Sequence, residues 1–277
     1  MIGRAVGSGF AAARDFLARG LVRAGVSPNA LTLTGMLLTI AAGVSYALGA
    51  GCEHFAWSWA ARPGEPSALL LLGACLLVLS SACDMLDGAV ARLGGKSTAF
   101  GAFLDSTLDR FSDFAVYAGI AVYYARQEPA NLTFVLLSMV AFFNAFMISY
   151  ARARAEDIIE FCTVGYWQRG ERSAAILIAT FAYNIPALIV QQALLPMLTA
   201  GRRLAHTRAV LAGRGETPEL AMAPLHVKLR LWRWPRMSLP YDFVTAVNIA
   251  WLLFAPVENI DPLRRAIEKI GTDPIFL

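Results

Sequence analysis

The sequence predicts an all-α integral membrane protein with six transmembrane helices and an N-terminal amphipathic helix at the membrane surface. Hydrophobic residues make up 57% of the 277 positions and charged residues only 16%. A soluble domain averages about a quarter charged residues, so this composition excludes an ordinary soluble enzyme. Apolar runs recur along the chain, and a membrane span needs roughly 20 apolar residues.

Residues 1–26 are predicted to form the amphipathic juxtamembrane helix. Apolar residues fall on one side of this helix and arginines occupy the rest, which is typical of a helix lying in the headgroup plane. The apolar side contains Val6, Phe10, Ala13, Leu17 and Leu21, and the arginines are Arg4, Arg14, Arg19 and Arg23. Ser27 and Pro28 then mark the start of the first span.

Six apolar runs are predicted to span the membrane, near residues 30–50, 67–83, 114–125, 131–150, 173–199 and 243–257. They define a transmembrane catalytic domain over residues 27–200 and 239–258. Residues 201–238 carry eight Lys and Arg against two Glu and are predicted to be a basic insertion, with an amphipathic element from Leu225 to Trp234 on the lipid surface. Residues 259–277 are predicted to be a C-terminal tail.

Basic residues predict the orientation of these spans. The N-terminal helix, the turn at 92–96 and the loop at 152–172 are basic and share one side under this count. That side is predicted to face the cytoplasm, which indicates a multi-pass protein of the cell inner (plasma) membrane. The same count puts the basic insertion outside, against the usual bias. The net charge is a modest +4, and the basic residues cluster in loops and in the N-terminal helix. This clustering suits an anionic membrane surface better than nucleic acid, which is not expected as a partner.

Four aspartates are the main candidates for a functional site in this sequence. Asp84 and Asp87 are three residues apart, and Asp105 and Asp109 are four apart, so each pair lies on one face of its own helix. The turn at Gly94–Gly95 lets the two helices fold together. Carboxylates near a bilayer are costly unless they have partners, and four of them without a matching basic cluster indicate bound cations. Solvated loop charges would explain one such residue but not the full spacing.

The spacing DxxDGxxARx8GxxxDxxxD over residues 84–109 resembles the signature of the CDP-alcohol phosphotransferase family, with every motif position filled. The segment PNALT, Pro28 to Thr32, resembles a stretch at the start of the first membrane helix of that family. The resemblance covers about residues 25–190. It implies a membrane transferase of phospholipid biosynthesis that takes a phosphatidyl group from CDP-diacylglycerol and releases CMP, and it implies a homodimer.

The same resemblance implies roles for the motif residues. Asp84, Asp87, Asp105 and Asp109 would hold Mg²⁺ or Mn²⁺, and Asp109 would also be the general base. Hard cations on carboxylates neutralise a diphosphate, and a carboxylate can accept the proton of the acceptor hydroxyl. The residues implied near the nucleotide are Asn29, Thr32, Gly88, Ala91, Arg92 and Gly101. Close helix packing is the alternative explanation for the two glycines.

Two further segments indicate the acceptor. SYARARAE from Ser149 and QRGER from Gln168 resemble the phosphatidylinositol-phosphate synthases, in which they frame a phosphate pocket. Gln168 and Gly170 replace the Glu and Pro of that pattern. A basic residue expected late in the sixth helix is absent from 243–257, with Arg264 or Arg265 as candidate substitutes. By this resemblance the acceptor-binding residues are Ser149, Arg152, Arg154, Arg169 and Arg172.

The alternatives follow from the same residues. A phosphorylated acceptor also fits glycerol 3-phosphate, which would make the protein a phosphatidylglycerophosphate synthase, although the ARARAE run favours inositol 1-phosphate. The arginines would otherwise serve only to fix the membrane topology. A cation transporter would also place carboxylates among helices, but the sequence lacks the second copy that inverted repeats provide.

Overall fold

The computed structural model describes residues 2–49, 68–214, 225–232, 234, 236, 238–257 and 261–272, and its regular elements there are all helical. The helices are α1 (Ile2–Arg23), α2 (Pro28–Leu48), α3 (Ala68–Leu93), α4 (Ala99–Ala125), α5 (Leu132–Glu156), α6 (Arg169–Phe181), α7 (Ile185–Leu194), α8 (Met197–Ala209), α9 (Leu225–Leu231), α10 (Leu239–Phe254) and α11 (Pro262–Thr272). Their described residues form two compact units, one up to Gly49 together with Ala68–Gly119, and the other from Ile120 onward.

Three helices in the described part of the chain are long and apolar enough to cross a membrane, namely α2, α3 and α5. Helix α10 is also apolar but has 16 residues. The predicted all-helical class is therefore confirmed, together with three of the predicted spans as candidates by length and composition.

The apolar run at 173–199 was predicted to be a single span, but the structure does not form one continuous helix there. Helix α6 ends at Phe181, and Tyr183 then takes a φ of 55°, in the left-handed region that few non-glycine residues adopt. Asn184 starts α7, where its side chain accepts a hydrogen bond from the N–H of Ala187 at 3.3 Å. The run is thus divided among α6, α7 and α8.

In the first unit, small and hydroxyl residues bring α2 close to α3. The hydroxyls of Thr39 and Ser80 lie 2.6 Å apart, and Ser80 donates a hydrogen bond to the carbonyl of Gly35 at 2.8 Å. Such side chains satisfy each other between apolar helices without exposing polar atoms to lipid. The contact fixes the register of the helix that carries Asp84 and Asp87.

Two glycines allow a close approach of α2 to α4. A β-carbon at Gly43 would overlap the carbonyl of Ala115, and one at Gly119 would overlap the carbonyl of Gly43. These neighbours are backbone atoms, which cannot rotate aside. The absence of a side chain at both positions therefore sets the distance between α2 and the helix that carries Asp105 and Asp109.

We expect Gly119→Ala to destabilise the protein by about 1–3 kcal/mol, the usual cost of overpacking. The matched control is Gly20→Ala, because Gly20 is also helical but has no atom within 4 Å of an added β-carbon. Alanine is favoured over glycine in a helix, so the thermal unfolding midpoint of this control should be at least that of the wild type. Thermal unfolding midpoints in detergent measure both, and equal midpoints would contradict the close approach.

Helix α1 packs on α3 in the same unit. Ala18 is fully buried against Ala89 and Val90, with Leu21 and Val22 beside them. Phe16 and Leu17 stay 71% and 53% exposed. The helix therefore turns one apolar strip toward α3 and leaves a second uncovered.

In the second unit, α5 packs against α7 and α8, and α6 packs against α10. The buried Asn144 amide donates hydrogen bonds to the carbonyls of Gln192 and Ala193, at 3.2 and 2.7 Å. The indole N–H of Trp251 donates to the carbonyl of Ala187 at 2.9 Å. Asp261 accepts the N–H of Leu132 at 2.7 Å, which ties the start of α11 to the start of α5.

The segment predicted as a basic insertion is built into this unit where it is described. Its first residues continue α8, and its later residues form α9. Val227 and Leu231 of α9 are buried against Ile159 and Val164 of the loop after α5. Leu225 and Leu229 of the same helix stay exposed, and residues 215–224 lie outside the described part.

Candidate active site

Helices α3 and α4 bring three of the four motif aspartates together. One carboxylate oxygen from each of Asp84, Asp105 and Asp109 lies within 4.8 Å of the other two. The turn between the helices makes this convergence possible, because Gly95 takes a φ of 61° and only Lys96, Ser97 and Thr98 separate it from the start of α4 at Ala99. Thr98 caps α4 by accepting the N–H of Gly101 at 3.0 Å.

The fourth aspartate, Asp87, lies outside this set of three and is held from α2. It is 7% exposed, and its Oδ2 accepts a hydrogen bond from the Thr32 hydroxyl at 2.7 Å. Its Oδ1 accepts the N–H of Gly88. The structure therefore fixes Asp87 by a contact between residues 55 positions apart in the sequence.

The donor set fits a hard divalent cation. Mg²⁺ and Mn²⁺ prefer carboxylate oxygens, and three such groups at this separation repel one another unless positive charge is present. The guanidinium of Arg110 is close to Asp109, with its Nη2 3.7 Å from Oδ2. Arg110 also reaches Asp113, at 3.6 Å, so its charge is shared between two carboxylates.

The residues expected near the nucleotide lie in the first unit, on the same helices as this cluster and on α2. A β-carbon at Gly101 would lie 3.5 Å from the Asn29 Oδ1, and one at Gly88 would lie 3.3 Å from the Arg92 Nη1. The start of α2, the end of α3 and the start of α4 thus meet around small residues. Ala91 follows one turn after Gly88 on α3.

The residues expected to bind the acceptor belong to the second unit. Ser149 donates to the carbonyl of Ala145 at 3.3 Å, and Arg152 donates to Glu156 at 2.9 Å. Arg154 is paired with Asp157 at 2.7 Å and its side chain is 66% exposed. The other two are on α6, where Arg169 is the first residue and Arg172 is buried.

The sequence analysis missed one arginine of this region, Arg203 on α8. It is 2% exposed and donates hydrogen bonds to the carbonyls of Ile148 and Val164 and, at 2.7 Å, to Gln168 Oε1. The glutamine that departs from the expected pattern is therefore this arginine's partner. The only sign of this arginine in the sequence was the Gln168 that replaces the Glu of the pattern. Arg264, the candidate for the missing basic residue late in the sixth helix, forms an ion pair with Glu268.

A cavity of about 320 Å³ lies beside Arg152 in the second unit. Glu171 lines it, and its Oε1 accepts hydrogen bonds from Arg236 Nη2 at 2.8 Å and from the Tyr241 hydroxyl at 2.7 Å. Tyr166 lines the same cavity, and burial raises the pKa of its phenol. The cavity thus combines cationic, acidic and aromatic groups.

Comparison with known proteins identifies the relatives of this chain. The family model for CDP-alcohol phosphatidyltransferase matches residues 25–206. The archaetidylinositol phosphate synthase of Methanothermobacter thermautotrophicus is 37% identical over 172 residues, which cover 62% of this chain and 75% of that one.

Two crystal structures of the Mycobacterium tuberculosis phosphatidylinositol phosphate synthase are also similar. The one with CDP-DAG bound has a TM-score of 0.58 at 26% identity and covers 76% of this chain and 98% of that chain. The one in complex with manganese and citrate has a TM-score of 0.57 at 28% identity, covering 76% and 93%. In the present chain, α9 to α11 lie beyond the matched residues 25–206.

Proposed function

Because the chain belongs to the CDP-alcohol phosphatidyltransferase family, we propose that it moves the phosphatidyl group of CDP-diacylglycerol onto inositol 1-phosphate and releases CMP. The chain is a transferase of phospholipid biosynthesis, and inositol 1-phosphate is the proposed acceptor. The observation that carries the reaction type is the convergence of Asp84, Asp105 and Asp109 within a matched family segment.

Asp84, Asp105 and Asp109 would hold Mg²⁺ or Mn²⁺, with Asp87 as a fourth ligand. The bound cation supplies charge neutralisation at the diphosphate and at the oxygen of the departing CMP. Thr32 orients Asp87 through its 2.7 Å hydrogen bond. The manganese in the structure of the M. tuberculosis relative is consistent with this donor set.

Asp109 would act as the general base. The acceptor hydroxyl oxygen forms a bond to the phosphorus that carries diacylglycerol, and the bond from that phosphorus to the CMP oxygen breaks. The hydroxyl proton passes to the Asp109 carboxylate, and CMP leaves with the electron pair of the broken bond. A base is needed because the hydroxyl has a pKa far above neutrality and does not lose its proton to water at that pH. A carboxylate placed beside the hydroxyl can accept this proton as the new bond forms.

Small and polar residues would receive the nucleotide. Gly88 and Gly101 leave room for the cytidine diphosphate, and Arg92 would pair with a phosphate oxygen. Asn29, next to Gly101, and Thr32 would close over it from α2. Ala91 lies one turn from Gly88, and its small side chain keeps this part of α3 narrow.

Arginines would bind the phosphate of the acceptor. Guanidinium groups hold phosphate oxygens through paired hydrogen bonds, and Arg152, Arg154, Arg169 and Arg172 come from the two segments that resemble inositol phosphate enzymes. Ser149 would add a hydroxyl. Arg203 would position this region rather than bind the phosphate, because its guanidinium donates to Gln168 and to the backbone at Ile148.

For the membrane arrangement we propose a multi-pass, homodimeric protein of the cell inner membrane with the carboxylates on the cytoplasmic side. Helices α2, α3 and α5 are three candidate spans by length and composition. Six spans would be reached with α4, the segment from α6 to α8, and α10. The exposed Phe16 and Leu17 of α1 support a helix that rests on lipid.

A side-by-side acceptor assay tests the proposed function. Purified protein with CDP-diacylglycerol and Mn²⁺ should release CMP with inositol 1-phosphate at least about 10-fold faster than with free inositol or serine, because the charge-assisted bonds to phosphate are lost with those acceptors. Preference for glycerol 3-phosphate would identify a phosphatidylglycerophosphate synthase instead. If none of the four acceptors gives CMP release, the acceptor assignment is overturned.

A further inference from the structure

The cavity beside Arg152 is also lined by a second arginine, Arg236, which lies beyond the family match at residues 25–206. The Arg236 side chain is 67% exposed and the Arg152 side chain is 46% exposed, so water reaches both of them. The cavity volume of about 320 Å³ lies within the range of small-ligand sites. Two accessible guanidinium groups therefore line one space of ligand size.

Glu171 of α6 holds Arg236 in place. The Glu171 side chain is 7% exposed, and its Oε1 accepts hydrogen bonds from Arg236 Nε at 3.1 Å and from Arg236 Nη2 at 2.8 Å. The Tyr241 hydroxyl donates to the same oxygen at 2.7 Å. These two bonds use one edge of the guanidinium. Because a guanidinium carries five N–H donors, Arg236 retains donors for a second acceptor.

The residue at position 170 lets Arg236 approach α6. A β-carbon at Gly170 would lie 3.3 Å from Arg236 Nη2, which is tighter than an ordinary van der Waals contact. Gly170 is one of the two departures from the inositol phosphate pattern, in which a Pro stands at this position. The other departure, Gln168, accepts a hydrogen bond from Arg203 at 2.7 Å. Both departures therefore lie in contact with arginines from later in the chain.

The charges around the cavity favour an anion. Its charged lining residues are Arg152, Arg236 and Glu171, two positive against one negative. Gln168 and Glu171 line it from the N-cap and the first turn of α6, where the positive end of the helix dipole lies. Arg152 also pairs with Glu156 at 2.9 Å. This pair is partly exposed and therefore weak, so a phosphate group can displace the carboxylate.

We propose that Arg236 binds the phosphate of the acceptor, together with Arg152, in this cavity. A phosphate monoester carries about 1.5 to 2 negative charges at neutral pH and three acceptor oxygens, which suits two guanidinium groups. Arg236 would thereby supply the basic group that the inositol phosphate pattern places late in the sixth helix and that residues 243–257 lack. This inference rests on the proposed function, and it places part of acceptor binding beyond the family match.

Arg236→Gln should raise the KM for inositol 1-phosphate about 10- to 100-fold, the effect of losing hydrogen bonds to a charged group. The kcat and the KM for CDP-diacylglycerol should stay at the wild-type values. Arg236→Lys keeps the charge but loses the planar fork, so it should give a smaller rise, and it carries the test if the Gln variant does not fold. The matched control is Arg208→Gln, because Arg208 is an exposed arginine of α8 that does not line the cavity, and it should change neither KM. A rise confined to the KM for CDP-diacylglycerol would overturn the proposal.

A double variant separates phosphate binding from the pairing with Glu171. If Arg236 only balanced the buried charge of Glu171, combining Arg236→Gln with Glu171→Gln would restore the wild-type KM for inositol 1-phosphate, because no unpaired carboxylate would remain. Phosphate binding by Arg236 instead predicts that the double variant keeps a KM raised at least about 10-fold. Restoration of the wild-type KM would overturn the proposal.

Titration calorimetry of inositol 1-phosphate without CDP-diacylglycerol separates this inference from the proposed function. Binding to the wild type that weakens in Arg236→Gln but not in Arg208→Gln supports the phosphate contact, even if no acceptor gives CMP release. An active enzyme whose Arg236→Gln variant keeps the wild-type KM overturns the contact and leaves the transferase assignment in place. Absence of binding to the wild type also overturns the contact.

Discussion

Asp109→Asn is expected to lower kcat for CMP release by about 10²- to 10⁴-fold, the usual contribution of a general base. Asparagine has the same shape but cannot take up the proton of the acceptor hydroxyl. The Asp109 side chain is 12% exposed, so little water reaches it to replace the lost base. Single-turnover CMP release measures the loss, and CDP-diacylglycerol binding should be largely retained because Asp84 and Asp105 remain.

Asp113→Asn is the matched control for this result. Asp113 lies one turn further along α4, pairs with Arg110 at 3.6 Å and is outside the set of three carboxylates. Its replacement should change kcat by less than about 3-fold, as expected for a partly exposed ion pair. Turnover that survives in Asp109→Asn would remove Asp109 as the base, and equal losses in both variants would indicate a general effect of charge on α4.

The convergence of the acidic residues was predictable from spacing alone. Two helical pairs on either side of a glycine turn can meet on one side, and Asp84, Asp105 and Asp109 do so. The Thr32 bond to Asp87 was not predictable, because it joins residues 55 positions apart and depends on how α2 packs. Local periodicity determines which face a side chain occupies but not which distant partner it meets.

The second unit shows where apolar runs mislead. Residues 173–199 are hydrophobic enough for one span, yet the turn at Tyr183 and the Asn184 cap end α6 after 13 residues. The sequence Asn184-Ile185-Pro186 interrupts this run, yet the run was counted as one span. Arg203 was assigned to a basic insertion because residues 201–238 carry eight Lys and Arg against two Glu. Its burial was not predictable, because it depends on the carbonyls of Ile148 and Val164 as partners.

Removal of divalent cations is expected to stop transfer completely, and Mn²⁺ or Mg²⁺ should restore it. The reason is electrostatic: three carboxylates whose oxygens lie within 4.8 Å cannot receive an anionic diphosphate unless cations reverse the local charge. The measurement is CMP release after treatment with EDTA, followed by titration of each metal. Activity that is insensitive to the chelator would contradict a metal-dependent site.

The metal titration becomes specific to this cluster with Asp105→Asn. Loss of a ligand should cost at least as much as loss of an outer-shell partner, so the Mn²⁺ concentration for half-maximal activity should rise by about 10- to 100-fold or more. Asp113→Asn should keep the wild-type Mn²⁺ requirement. Asp105 lies one helical turn from Asp109 and faces Asp84 across the turn, so a shifted requirement in Asp105→Asn alone would identify these carboxylates as the ligands.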